Sequence, residues 1–543
     1  MIPCLIFEDD HLLALNKPAG INTHAPAPFA GEGLYDWLRH REPRWAALAI
    51  LHRLDKETSG VIVFGKSAAA NRSLTAQFTE RRVRKKYLLL TDRPPKRNEL
   101  AVKSRLVRAG DRYASANTGD PAETRFRLVD FKSQIPNLKL FEAEPRTGRT
   151  HQIRVHAAES GFPILGDTLY GGTPFRRVCL HAAEIRLRHP ASSEEMTFRA
   201  APDFMADPRL ALRTALVDPE AIDAFRVLHG ASDGWPGWHV DRLGSFLLSQ
   251  SECPLGPEQQ ACLRHLLAAS SSRRVEAAAW REAGFPIGAY HKTLDRRVRA
   301  SSPREVSPQP ALGQPAPERF TVRENGLRFE LSFSEGYSVG LFLDQRDNRR
   351  RLLTGHVAAG FPLFDAVPRP PRLLNAFAYT CAFSVCAAHN GARTTSLDLS
   401  RKYLDWGRRN FALNELDPAA HEFILGDVFD WLRRMAKKHR LFDAVLLDPP
   451  TFSQSKERGA FRAETDFSDL VAAALPVLAP GGVLFASSNA ARWSPEAFLA
   501  DVETAVHAAK RRIAQRHYSP QPPDFPVSKP EPAYLKTAWF RVQ

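Results

Sequence analysis

HRLDKETSG, residues 52–60, sets two carboxylates and two cations between the apolar runs ALAI (47–50) and VIVF (61–64). An exposed turn in which Asp55 caps a following helix would have such a composition. The flanks argue for something else. Strand-forming runs on both sides draw the peptide against a sheet, where unpaired carboxylates and guanidinium groups are costly. Asp55 is therefore read as a group that the site itself requires.

The chain around this stretch has 543 residues, too many for one core, and about three domains are expected. A formal charge of +15 points to a polyanionic partner, and most of the excess lies in the first 200 residues. Nucleic acid is favoured over a membrane surface, because no basic amphipathic anchor is evident. Six scattered cysteines form no CxxC pair, so neither a zinc ribbon nor a disulfide framework is expected. The first residues, MIPCLIFEDD, turn acidic too early for a signal peptide, and no apolar run has membrane-spanning length. A cytoplasmic protein without metal is expected.

Along residues 1–205, short apolar or alternating runs (HLLALNK, GVIVFGK, KKYLLLT, LKLFEAE) predict an α+β domain on a largely antiparallel sheet. Residues 206–330 read as a small β-rich domain. Within it FRVLHGASDGWPGWHVDRLGSFLLSQ (225–250) carries hairpin punctuation, and the proline-rich 301–320 suggests a linker or long loop. From about 372 to the end, strand-like and helix-like segments alternate: RLLNAFAY, FSVCAAHNG, TTSLDLS, KYLDWGRRNFALN, HEFILGD, VFDWLRRMAKK, FDAVLLDPP. Such alternation predicts a parallel, doubly wound, Rossmann-like sheet over 331–543.

HRLDKETSG resembles the catalytic motif of RluA-type pseudouridine synthases; KPAG (17–20) precedes it, and KKY (85–87), GRTHQIRVH (148–156) and LHA (180–182) come after it, in the family's order. The resemblance implies an RNA uridine isomerase that uses no cofactor. The reaction breaks the bond from ribose to uracil nitrogen 1 and rejoins the sugar to carbon 5, so it needs a carboxylate near carbon 1 of the ribose. Asp55 is implied there, as nucleophile or as base. A guanidinium should hold that carboxylate ionised, and the resemblance assigns it to Arg154, with Arg149 as runner-up. It also implies that Tyr87 stacks on the flipped uracil and Arg53 fills the gap left in the RNA. Outside that context Tyr87 reads as a core tyrosine and Arg53 as a surface cation. RRVRKKY (81–87) reads as phosphate contacts.

The second half resembles class I S-adenosylmethionine-dependent methyltransferases, more narrowly the RlmI and RlmK group acting on large-subunit ribosomal RNA. LFLDQRDNRR (341–350), NAFAYT (375–380), TTSLDLSRKYLDWGRRNFALN (394–414) and DPPTFSQSK (448–456) carry the resemblance. It implies S-adenosylmethionine as cofactor, with Asp344 and Arg346 from the first motif and Asn375, Phe377, Tyr379 and Thr380 from the second. Asp398, at a strand end, suits the ribose hydroxyls, and Asp427 the adenine edge. Asp448 and Pro449 open the loop where substrate and methyl group should meet. Where the family has Gly after YT, this chain has Cys381, whose side chain is expected to crowd the ligand.

Methylation at cytosine carbon 5 needs a thiolate, and GGVLFASSNAARW (481–493) lacks the cysteine that RlmI-like enzymes carry there. Guanine nitrogen 7 of ribosomal RNA is the favoured target, as in the RlmK branch. Two other readings stay open on the sequence. One is a binding or ribosome-assembly module in place of a working methyltransferase; the other is a methyltransferase acting on cytosine, DNA or protein.

Overall fold

The computed structural model describes residues 2–130, 137–268, 285–294, 306–336, 338–365, 369–455 and 459–543. Residues 301–305 of the proline-rich stretch and Lys456 of DPPTFSQSK lie outside them. The chain forms two compact units. The first comprises Met1–Pro26, Gly33–Asp36 and Ala47–Asp218, and the second Ala27–Glu32, Trp37–Ala46 and Pro219–Gln543. No helix among the described residues is long and apolar enough to cross a membrane.

The first unit is built on an 11-stranded mixed sheet. Leu12–Lys17, Ser59–Gly65, Arg84–Thr91 and Lys139–Pro145, the four runs read as strands above, all belong to it. Ser59–Gly65 is buried at every residue. It runs antiparallel to Leu12–Lys17 and parallel to the start of Leu180–Arg188, where Gly60 lies opposite Ala182. Gly60 has φ +118°, and a Cβ there would come within 2.3 Å of the Ala182 carbonyl oxygen. Only glycine permits this approach at the strand that delivers Asp55.

In the second unit a five-stranded sheet takes its strands in the order Ala224–His229, Trp238–Leu243, Phe246–Ser251, Gly288–Thr293, Gln309–Gly313. The last corrects the reading of 301–320 as a linker. Gln309–Gly313 is an edge strand, a position where Pro310 leaves no internal hydrogen bond unmade. This sheet shares one apolar core with the seven-stranded sheet that follows. The order of the latter is Glu422–Leu425, Arg393–Asp398, Arg372–Ala376, Phe442–Leu447, Leu478–Ser488, Lys536–Val542, Ile513–Tyr518. The first five are parallel, and Lys536–Val542 is antiparallel to both of its neighbours. Chain order reverses beside Arg372–Ala376, which places a ligand site beyond the carboxyl ends of these strands.

The basic helix Arg346–Thr354 is an internal strut. Arg346 pairs with Asp524 and Arg349 with Glu324, all four side chains at most 4% exposed. Arg350 pairs with Glu42, and Trp37 donates its indole N–H to Asp347 at 3.0 Å. The stretch Trp37–Ala46 thus belongs to this unit through buried polar contacts as well as proximity.

Cys381 adopts a left-handed backbone (φ 62°, ψ 24°) at the start of the helix Ala382–His389. Its side chain is fully buried against the helix Arg401–Leu413, where a Cβ on Gly407 would fall 2.3 Å from Cys381 Sγ. The expected crowding of the ligand is therefore corrected: the thiol occupies space vacated by a missing Cβ.

Two expectations follow from these close approaches. Gly60→Ala should cost the first unit about 2 kcal/mol or more, read as lost hydrogen-exchange protection along Ser59–Gly65; unchanged protection contradicts the approach. Gly407→Ala should destabilise the wild type by about 1–3 kcal/mol yet be neutral or stabilising beside Cys381→Gly. The coupling is measured as a double-mutant cycle on the urea transition that S-adenosylmethionine shifts.

Candidate active sites

A cleft of about 1910 Å³ in the first unit is bordered by Arg53, Asp55, Tyr87 and Arg154, so all four of its sequence-derived residues come together, and His151 lines it beside them. The loop carrying Asp55 is tied down from below. Thr23 Oγ1 donates to the Leu54 carbonyl at 2.8 Å and accepts from the Leu54 N–H at 3.1 Å. Lys17, from KPAG, is fully buried and directs its ammonium to the carbonyls of Pro18, Ile21 and Lys56 at 3.0, 2.8 and 3.4 Å. These contacts explain why KPAG accompanies the motif.

Burial raises the Asp55 carboxyl above its usual range, opposed by the positive charges of His151, Arg154 and Lys17. Arg154 is oriented by a residue that the sequence reading did not identify. Asp167 accepts from its Nε and Nη2, both at 2.7 Å, and is 1% exposed. Glu57 lies 3.7 Å from Nη1. Arg149, the runner-up, turns instead to Asp120 at 3.4 Å.

Tyr87 faces Ala143 on one neighbouring strand and Ala182 on the other, so small side chains flank its ring. Its phenol is raised by burial and then by Asp55. Arg53 is exposed at the cleft wall, whereas His52 is structural: it accepts the Val63 N–H at 3.1 Å and stacks on Phe78. Of RRVRKKY, Arg81, Arg82 and Arg84 are exposed and Lys86 reaches Glu142 at 3.5 Å. Lys85 lines the cleft, its pKa lowered by burial alone. His151 starts the helix Gln152–Glu159 with a left-handed backbone, and its Nδ1 lies 2.8 Å from the Tyr170 hydroxyl.

In the second unit the polar candidates cluster at strand ends. Asn375 is fully buried; its Nδ2 donates to Ser384 at 2.9 Å, while Oδ1 has no hydrogen-bond partner among the described residues. The loop beyond it places Phe377, Tyr379 and Cys381 at positive φ, a tight path that turns the Tyr379 N–H onto Asp398 at 2.8 Å. Asp398 also accepts from the Ser400 N–H at 2.9 Å, and burial raises its carboxyl. Asp427 caps the helix Val428–Lys437 and, with Phe377, Leu399, Val428, Phe429 and Phe461, lines a narrow apolar cleft. Thr380 is spent structurally, donating to the Gly340 carbonyl at 2.6 Å.

Asp448 and the buried Pro449 follow the fourth parallel strand in chain order. Burial pushes the Asp448 carboxyl up to about 6; Ser487 lowers it and Asp344 raises it. Gln345, absent from the sequence-derived set, aims its amide at both Asp448 oxygens (3.3 and 3.4 Å) and donates to Ser487 at 2.8 Å. Asp344 accepts from Tyr534 at 2.9 Å and stands near this group. Arg346 does not join the cluster, because Asp524 takes both of its terminal nitrogens at 2.9 and 2.5 Å. An orphaned amide oxygen, carboxylates at successive strand ends and an apolar slot together fit S-adenosylmethionine.

The sequence profile of the RNA pseudouridylate synthase family matches residues 11–159, and that of S-adenosylmethionine-dependent methyltransferases matches residues 225–541. The ribosomal RNA large subunit methyltransferase of Deinococcus radiodurans is 35% identical over 345 residues, covering 62% of this chain and 78% of its own. The ribosomal RNA large subunit methyltransferase I of Klebsiella pneumoniae is 32% identical over 335 residues, 61% and 76% of the respective chains. Among solved structures, human RNA pseudouridylate synthase domain containing 4 is 26% identical, with 38% of this chain and 92% of its own covered and a TM-score of 0.31. The chain belongs to the S-adenosylmethionine-dependent methyltransferase family, and ahead of that part it carries an RluA-type RNA pseudouridine synthase domain.

Proposed function

We propose that this protein isomerises a uridine to pseudouridine through Asp55 and methylates guanine nitrogen 7 through the Asp448 group, both in large-subunit ribosomal RNA. The observation that carries the first activity is the half-buried carboxylate of Asp55 in a cation-rich cleft, with Arg154 held beside it by Asp167. In that cleft Asp55 attacks, or takes a proton from, the sugar at carbon 1. Tyr87 supplies the face for the extruded base, Arg53 fills the vacated stack, and Lys85 with the arginines of 81–84 meets phosphates. Ribosomal RNA as substrate rests on the names of the methyltransferase relatives.

The guanine assignment rests on thiols. Cys381 and Cys386 are fully buried, and burial pushes the Cys381 thiol up to about 12 and the Cys386 thiol higher still. Neither suits covalent addition to cytosine carbon 6. A purine nitrogen with a free lone pair needs only alignment. S-adenosylmethionine would supply the methyl group, held by Asp398, Asp427 and Asn375. Methylation at nitrogen 7 leaves the guanine ring cationic, and the Asp448 carboxylate, oriented by Gln345, is placed to stabilise that growing charge.

Asp55→Asn should abolish pseudouridine, scored by mass spectrometry of ribosomal RNA, and leave methyl transfer at its original rate. Loss of both activities contradicts two separate sites. The methylation rate should rise with pH through about 6 and level off above it, because only the ionised Asp448 opposes positive charge. The folding contribution of this group has the opposite sign. Its raised pKa stabilises the fold fully below the ordinary value of 3.8 and no longer does so above about 6. Asp448→Asn should cost at least about 100-fold in methylation and remove the inflection. Methyl label recovered on cytosine carbon 5 would sink the guanine assignment.

A further inference from the structure

Pseudouridine formation leaves a proton-transfer problem that Asp55, engaged at the sugar, does not solve. Once carbon 5 has bonded to the ribose it still carries its hydrogen, and nitrogen 1 has none. The product requires the reverse. One group positioned at the base can perform both halves, provided that it accepts a proton and then donates one.

The cleft holds a side chain with that property. His151 faces it alongside Asp55, and each is the largest single charge acting on the other. Its ring is wedged between Tyr113 and Tyr170, with centroids 5.6 and 5.7 Å away and both contacts edge-on. Nδ1 lies 2.8 Å from the Tyr170 hydroxyl, which also accepts the Tyr113 N–H at 2.8 Å. With Nδ1 donating its hydrogen to that hydroxyl, Nε2 carries the free lone pair. Nε2 can then be a base in one step and, once protonated, an acid in the next without any movement of the ring. The backbone reaches this position only through the left-handed region, at φ 55°, a conformation that L side chains adopt at a cost.

We propose that His151 carries the proton that uridine isomerisation moves from carbon 5 to nitrogen 1, with Tyr170 setting its tautomer. This rests on the uridine-isomerase reading above. The C5–H bond breaks and its proton goes to Nε2. Its electron pair forms the C5–C6 double bond, and the C6–N1 π pair withdraws to nitrogen 1. Nitrogen 1 then takes the proton from Nε2, so His151 ends as it began and no further reactant is consumed. Tyr87 is a poor alternative, because burial and Asp55 both raise its phenol and leave no phenolate to act as base. Burial lowers the His151 pKa while the charges of Asp55, Glu57 and Asp167 oppose that, so the ring stands between carboxylates that favour its protonated form and a wall that favours its neutral one.

The left-handed backbone makes His151→Gly the mild substitution, since glycine prefers this conformation. The test uses the full-length protein and ribosomal RNA transcribed in vitro with uridine either protiated or deuterated at carbon 5. His151→Gly should form pseudouridine about 100-fold more slowly. Its rate should show a larger deuterium isotope effect than the wild type, because proton removal has become limiting, and added imidazole should recover part of the loss. Tyr170→Phe should slow the reaction less and raise the isotope effect in the same direction. A His151→Gly protein with the wild-type rate overturns the proposal. So does a slowed one whose isotope effect matches the wild type and which ignores imidazole. Wild-type protein that forms no pseudouridine overturns the underlying reading and this proposal together.

Discussion

A carboxylate withdrawn from water is the constraint around which the first unit is arranged. Asp55 sits half-buried on the loop that leads into a strand with no exposed residue, so its negative charge loses hydration that neighbours must replace. Those neighbours come from distant stretches: Lys17 from KPAG, Arg154 and His151 from THQIR, and, one step further out, Asp167. Each is itself buried or half-buried and has to be fixed in turn, Lys17 by three carbonyls and Arg154 by a two-point pair. KPAG and THQIR meet HRLDKETSG in the fold because both bring positive charge to Asp55.

The second unit meets a related demand by other means. Its carboxylates stand at the ends of parallel strands, where backbone N–H groups and helix starts face them, as at Asp398 and Asp427. Burial raises both Asp398 and Asp448, and Asp448, which relies on side chains, is driven up to about 6. The difference suits different tasks. On the proposed reading, backbone N–H groups orient the Asp398 carboxylate toward the cofactor, whereas Asp448, beside the transferred methyl, is placed to favour positive charge.

What the sequence disclosed follows the range of the interactions involved. Apolar runs around HRLDKETSG announced the buried strand, because alternation and flanking are local signals. The strand-end acids could be placed because doubly wound topology fixes where strands finish. Asp167, Gln345, Ser487 and Tyr534 carried no such mark, since each reaches its partner only through the tertiary fold. Arg346 looked like a ligand group and proved to be a strut, as the pairing to Asp524, 178 positions away, has no sequence signature. The proline-rich 301–320 misled for the opposite reason: its composition is that of a linker, and only the vacant edge beside Gly288–Thr293 turns part of it into a strand.

The paired environment of Cys381 and Gly407 also sets how the two positions tolerate change. The thiol at 381 fills the patch that the facing helix leaves empty, and a side chain at 407 would meet it at 2.3 Å. The two positions therefore act as one packing unit, in which bulk is gained at 407 only where it is given up at 381. Variation at either residue is constrained by a partner on another element, whatever the loop itself faces.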